Sequence, residues 1–245
     1  MDIKKFEESF KKLVTVNGNV QPNEKVVIVT DYTMLDIAFG LAEVAKKITP
    51  FVNVCVQNTR DKDGTEPDVP VAMAMKEADV IFSPVSKSIT HTIGMRNALK
   101  NGARAILMTA HNETVLLSPA LLETDFAAQI PRCMAIGKAF TEGTNVRVTS
   151  PKGTDLTFVI GGEKTNILTN IPNPGELAPV PDIEVNVVPV TGSANGKIIF
   201  DASVPYLGIG ILTEDIVCEV KDGLIISMEG GRTSKILKRQ IRFLR

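Results

Sequence analysis

The stretch Lys25-Val26-Val27-Ile28-Val29-Thr30 is a continuous apolar run of strand length. A strand without polar alternation reads as buried on both faces. Its surroundings follow the same grammar. Residues 33–48 place Leu35, Ile37, Ala38, Leu41, Val44 and Ala45 at helical spacing, with Asp31 or Thr33 positioned as an N-cap. Residues 51–57 (FVNVCVQ) are β-rich, 71–78 form a short Ala/Met helix, and 79–85 (DVIFSPV) make a third strand. A helix over 92–101 ends at Gly102, a strand follows over 103–109 (ARAILMT), and a longer helix spans 125–140, where Pro131 requires a late start or a kink. Ahead of all this, about the first 20 residues form an amphipathic helix with Phe6, Phe10, Leu13 and Val14 on its apolar face, stopped by Asn17-Gly18-Asn19. Strands alternating with helices wind right-handed βαβ units around a parallel sheet. Residues 1–143 are therefore expected to be an open, doubly wound, Rossmann-like α/β domain.

Near residue 144 the pattern changes. Residues 145–150 and 155–160 are strand-like and flank Pro151-Lys152-Gly153-Thr154. Residues 184–190 and 197–201 flank a stretch ending in Asn195-Gly196, and 216–221 and 224–228 flank Asp222-Gly223. Asn-Gly and Asp-Gly are strong hairpin cues. Three successive hairpins predict an antiparallel, β-rich second domain over 144–245. The Pro/Gly/Asn-rich segment 161–182 reads as a loop, and 233–245 as a basic helix with Ile236, Leu237, Ile241 and Leu244 on one face.

Composition narrows the function. Of 245 residues, 44% are hydrophobic and 22% charged, which excludes a disordered or collagen-like chain. A net charge of −1 supplies no global field for nucleic acid or anionic membrane. The N-terminus has neither signal-peptide nor transit-peptide character, and no run approaches the ~18 apolar residues of a membrane span. Cys55, Cys133 and Cys218 stand apart among apolar neighbours, as expected of reduced thiols in a cytoplasmic protein.

No Gly-x-Gly-x-x-Gly follows the first strand, and no Walker A motif is present. Ligands of open α/β sheets lie beyond the carboxyl ends of the strands. Asp31-Tyr32-Thr33 falls there, as does Ser86-Lys87-Ser88-Ile89-Thr90-His91-Thr92. The second group offers hydroxyls, a cation and a helix start that could bind an anion, and Asp31, Ser86, Ser88, His91 and Thr92 together mark a candidate ligand crevice. The ordinary alternative is helix capping by Ser and Thr. His111, in a loop after the fourth strand, reads as exposed and inert. Asp61-Lys62-Asp63-Gly64 lacks the later glutamate of a calcium loop and reads as a solvated turn. Glu176, Asp182 and Glu184 lie in PGELAPVPDIEV, where Asp182 and Glu184 would share one face of a strand and could ligate a divalent metal.

The runs VTSPKGTDLTFVIGG, PDIEVNVVPVTGSANGKIIFDASV and EVKDGLIISMEGG resemble the aminopeptidase T family of leucyl aminopeptidases, whose superfamily includes 2,5-dihydroxypyridine dioxygenase. EKVVIVTD, Glu66-Pro67, ADVIFSPVSKSITHT and GARAILM extend the resemblance over nearly the whole chain. It implies a metal-dependent exopeptidase acting on peptides as a homodimer, with zinc, cobalt, magnesium or manganese. The alternatives are a mononuclear non-haem iron dioxygenase that cleaves a hydroxylated pyridine-type ring, and a non-catalytic small-molecule-binding or assembly module. The family's first metal ligand is the glutamate of a Pro-x-x-Glu-Val element. Pro181-Asp182-Ile183-Glu184-Val185 carries it onto Glu184, with Glu176 as competitor. The family's remaining ligands belong to His-containing elements of a C-terminal third that this sequence does not contain. The resemblance thus implies a truncated chain that is inactive and metal-free by itself.

Overall fold

The computed structural model describes residues 3–162, 165–205 and 209–242. The opening helix is composite: a tight turn over Ile3–Phe6, α1 (Glu7–Lys12), and a widened turn over Leu13–Asn17. Phe6, Phe10, Leu13 and Val14 are at most 1% exposed, as the spacing predicts. Then follow β1 (Val26–Asp31), α2 (Leu35–Ala45), β2 (Val52–Gln57), α3 (Val69–Lys76), β3 (Val80–Ser83), α4 (Ile93–Lys100) and β4 (Arg104–Leu107). Two short helices, α5 (Glu113–Leu116) and α6 (Pro119–Leu122), lead into α7 (Phe126–Glu142). Pro131 sits inside α7, and the Asp125 carboxylate caps it by accepting the Ala128 amide at 3.0 Å. The remaining strands are β5 (Asn145–Thr149), β6 (Asp155–Val159), β7 (Asn166–Leu168), β8 (Leu177–Pro179), β9 (Glu184–Asn186), β10 (Asn195–Phe200), β11 (Ser203–Val204), β12 (Gly210–Ile211), β13 (Ile216–Lys221) and β14 (Leu224–Glu229), before α8 (Gly231–Arg242).

The chain divides into two compact units, one of residues 1–135 and 167–185, the other of 136–166 and 186–245. A single cut after residue 143 is therefore not how contacts partition, because the chain returns to the first unit to add a strand. That unit holds a fully parallel five-stranded sheet of order β2-β1-β3-β4-β8. Alternate side chains face two cores. Val26, Ile28, Val80, Phe82 and Ile106 join the opening helix, α2 and Phe126 on one face. Val27, Val29, Ile81, Ala105 and Leu107 join Val71 and Met75 of α3 and Met95 and Ala98 of α4 on the other. This is the doubly wound arrangement, with every residue of β1, β3 and β4 buried. β8 lies inside the segment read as a loop. Three residues carry too little periodicity to announce a strand, and Pro179 is tolerated because β8 is an edge.

The second unit is built on the antiparallel sheet β14-β13-β10-β6-β5. The β5–β6 and β13–β14 hairpins form as predicted, the latter turning through Asp222 and Gly223 at φ 51° and 76°. The middle hairpin does not form. β9 pairs with β7, while β10 pairs with β13 and β6. Asn195-Gly196 opens β10 instead of turning a hairpin: Gly196, at φ 125°, has the Asp155 carbonyl oxygen where a Cβ would stand. Glycine here serves close strand approach. Ile216, Cys218 and Met228 pack with Leu237 of α8, whereas Ile236 is 39% exposed. Leu244 and the side chain of Ile241 lie outside the described residues. All three cysteines are free, Cys133 and Cys218 buried and Cys55 half-buried. No helix of the described residues is long and apolar enough to cross a membrane.

Candidate functional site

The sheet order puts the topological switch point between β1 and β3, since the chain turns from β1 to β2 on one side and then crosses to β3 on the other. Loops leaving the two carboxyl ends diverge there, which is where open α/β sheets bind ligands. Asp31 ends β1 and Ser86 follows β3. Asp31 is 2% exposed, and its carboxylate accepts four hydrogen bonds. Oδ1 takes the Thr33 amide (3.0 Å) and hydroxyl (2.5 Å), and Oδ2 takes the Ser86 amide and hydroxyl, both at 2.7 Å. Burial pushes the Asp31 pKa up, but these hydrogen bonds outweigh it and hold the carboxyl below its ordinary value. Asp31 therefore clamps the two loops together. It does not cap α2, whose N-cap position is Met34 with no side-chain cap.

The other residues of the predicted crevice serve the same loop. Thr92 caps α4, accepting the Met95 amide at 3.2 Å and donating its hydroxyl to the Ile89 carbonyl at 2.7 Å. Ser88 and Thr90 hydroxyls lie 2.7 Å apart. His91 is exposed, and its carbonyl accepts from Arg96 Nη1 at 2.6 Å. The first amides of α4, on Ile93 and Gly94, donate to Glu66 Oε1 (2.6 Å) and Oε2 (3.0 Å). The helix start expected to receive an external anion already holds the chain's own carboxylate. Those two amides keep the Glu66 carboxyl below its ordinary value.

A second polar group stands where β4 and β8 end. Val180 donates its amide to the Leu107 carbonyl at 3.2 Å, which brings the exit of β8 beside the loop that carries His111. His111 is 8% exposed, contrary to the expectation of a solvent-facing side chain. Its Nδ1 lies 3.4 Å from the Thr109 carbonyl, and its Nε2 has no partner among the described residues. Burial lowers the His111 pKa, against smaller opposing contributions from the Thr109 and Val180 backbone and from Asp182. A neutral imidazole with one buried, unpaired nitrogen can accept a proton or a hydrogen bond from a group brought against it. The β8 exit is fixed by two buried asparagines: Asn17 Nδ2 donates to the Asn170 carbonyl at 3.0 Å, and Asn170 Nδ2 donates to the Asp182 carbonyl. Asn170 takes φ 64°, in the left-handed region that asparagine tolerates.

Glu176 and Glu184 fall on opposite edges of the sheet. Glu176 precedes β8, and its Oε2 accepts the amide (3.0 Å) and Nδ2 (3.1 Å) of Asn173. Glu184 follows the β8 exit, is exposed, and opens β9. Asp182 lies before β9, so the shared-face argument for Asp182 and Glu184 does not apply. Among the described residues, no group of three or more His, Cys, Asp or Glu side chains is placed to hold a metal ion. The two-histidine, one-carboxylate set of a mononuclear iron centre and the ligand set of a two-metal site are both incomplete among the described residues.

Comparison with curated proteins gives no match. The model of the NicX family, 2,5-dihydroxypyridine 5,6-dioxygenase, matches residues 5–243. Among solved structures, the 2,5-dihydroxypyridine dioxygenase of Pseudomonas putida KT2440 superposes with a TM-score of 0.82 at 16% identity, over 99% of this chain and 73% of that one. Wild-type AmpT from Thermus thermophilus superposes with a TM-score of 0.61 at 15% identity, over 98% of this chain and 74% of that one. At these identities the superpositions speak for the fold.

Proposed function

This chain belongs to the NicX family, 2,5-dihydroxypyridine 5,6-dioxygenase, and from that membership we propose that it acts in oxidative opening of a hydroxylated pyridine-type ring. The observation that carries the reading is the family match over residues 5–243. The superposition on the Pseudomonas enzyme, at 0.82 against 0.61 for AmpT, favours the same branch of the fold. The peptidase activity implied by the sequence resemblance gives way accordingly.

The substrate site in this reading is the carboxyl edge of the parallel sheet. The Asp31–Ser86 clamp forms its floor, buried neutral His111 supplies a nitrogen that can take a proton from a ring hydroxyl, and Glu184 borders it. Iron is the metal the family implies. The described residues do not complete a site for it. Glu184, with Glu176 as its competitor, is the carboxylate proposed as a ligand.

The test pairs two assays on the same preparation. With ferrous iron and oxygen, loss of the ultraviolet band of 2,5-dihydroxypyridine supports the reading. Cleavage of leucyl-p-nitroanilide with two divalent ions per chain overturns it. Binding of the pyridine without turnover under either condition assigns the chain to the binding-module alternative.

A further inference from the structure

We propose that the connection between β2 and α3, residues 58–68, is a hinged strap that Glu66 latches shut at the switch point of the parallel sheet. The connection leaves the carboxyl end of β2, so it runs along the ligand edge. Its base is tied down twice. Arg60 pairs with Asp68 at 2.9 Å, and Gln57 Oε1 accepts from Arg60 Nη2 (3.4 Å) and from the Asp68 amide (3.3 Å). Its tip reaches the loop after β3 and the start of α4 through polar contacts. Asp63 Oδ1 accepts the Ser88 amide at 2.7 Å, and the Gly64 amide donates to the Ser88 carbonyl at 2.8 Å. Glu66 spans the Ile93 and Gly94 amides.

Apolar contact at the tip is confined to Pro67, which lies against Gly94 at the start of α4. No residue from 58 to 66 belongs to either core of the unit, and Pro67 is the buried residue of the strap. Gly64 sits at φ +79° with open space where a Cβ would stand, which gives the tip a pivot. A segment fastened by exposed polar contacts opens at far lower free energy than the sheet beneath it. The latch also has a defined reach. The strap holds both backbone groups of Ser88, while Asp31 holds Ser86. Lifting the strap releases the α4 side of the 86–92 loop and leaves the clamp closed, so the crevice opens at one lip. This device works whichever ring or peptide the site accepts.

Amide hydrogen exchange on Glu66→Ala tests it. The expected result is about tenfold faster exchange across 58–66 and at the Ser88 amide, with the Ser86 amide as protected as in the unaltered protein. Trypsin cleavage after Lys62 should accelerate by a similar factor, while cleavage after Lys76, at the end of α3, stays constant. Glu66→Gln, which keeps the shape and loses the charge, should fall between. Exchange at Ser88 within twofold of the unaltered protein overturns the proposal. So does equal acceleration at Lys62 and Lys76, because that pattern reports global unfolding rather than a lifted strap.

Discussion

One oxygen of Asp31 accepts both the backbone amide and the side-chain hydroxyl of Ser86 at 2.7 Å, joining the ends of β1 and β3 across the point where the sheet changes direction. The other oxygen is occupied by Thr33. Asp31→Asn keeps the shape but turns an N–H₂ group toward one pair of donors. We expect a loss of about 2–3 kcal/mol, the cost of leaving buried donors unmade, measured as a lower urea midpoint. The pH dependence follows in sign. The folded pKa of Asp31 is depressed below the unfolded value near ~3.9. Its stabilisation is present above about pH 4 and is lost as pH falls through the lower folded value. The stability gap between the two proteins should therefore shrink on acidification below about pH 4. A gap that stays constant down to about pH 2.5 contradicts the clamp.

At the opposite edge of the sheet, Arg104 forks onto Glu24 at 2.9 and 2.6 Å and donates to the carbonyls of Gly18 (2.7 Å) and Asn19 (2.9 Å). The Arg104 side chain is 8% exposed. Arg104→Leu leaves a partly buried carboxylate and two carbonyls unpaired, and should cost about 3–5 kcal/mol. The double variant Arg104→Leu/Glu24→Leu should recover part of that loss, because the stranded charge is gone. Recovery in chemical denaturation, or its absence, decides whether the pair or the apolar volume matters here.

The parallel sheet was legible because β1, β3 and β4 are buried on both faces, and burial of that kind leaves unbroken apolar runs such as Lys25–Thr30. β8 was not legible. Its three residues contain a proline, and what makes them a strand is the waiting edge of β4 rather than a pattern of their own. That omission hid His111 as well. A polar loop after a strand looks solvent-facing until the exit of β8 is laid beside it. Asn195-Gly196 misled for a related reason: glycine marks both tight turns and close strand approach, and only the position of the Asp155 carbonyl separates the two. In the site, Asp31 and Ser86 were recognised by position but not by role. Glu66 carried no local signal that it would sit on α4, a contact made 27 residues away in sequence.

His111 offers a direct spectroscopic test. The chain has 2 histidines, so imidazole C2 proton resonances are readily assigned with His111→Gln. Burial disfavours the charged ring, so the His111 resonance should titrate below the ordinary value near ~6.5. With the folded pKa depressed, the unfolded chain takes up the proton first as pH falls below about 6.5. Stability should then decline toward the folded pKa, and His111→Gln should remove that part of the decline. Titration at or above about 6.5 would falsify the buried, neutral assignment.

Glu184 and Glu176 can be separated by what each loses. Glu176 lies before β8, away from the ligand edge, with its carboxylate bonded to the Asn173 amide and side chain. Glu176→Ala should cost about 1 kcal/mol of stability and leave ring opening unchanged. Glu184 lies beyond the carboxyl end of β8, at the start of β9. On the proposed ring-opening reading with Glu184 as a ligand, Glu184→Ala should lower kcat/KM by more than about 100-fold while the urea midpoint holds. If the two substitutions exchange these outcomes, the ligand position belongs to PGELAP, and the active edge of the sheet is the one where Arg104 meets Glu24.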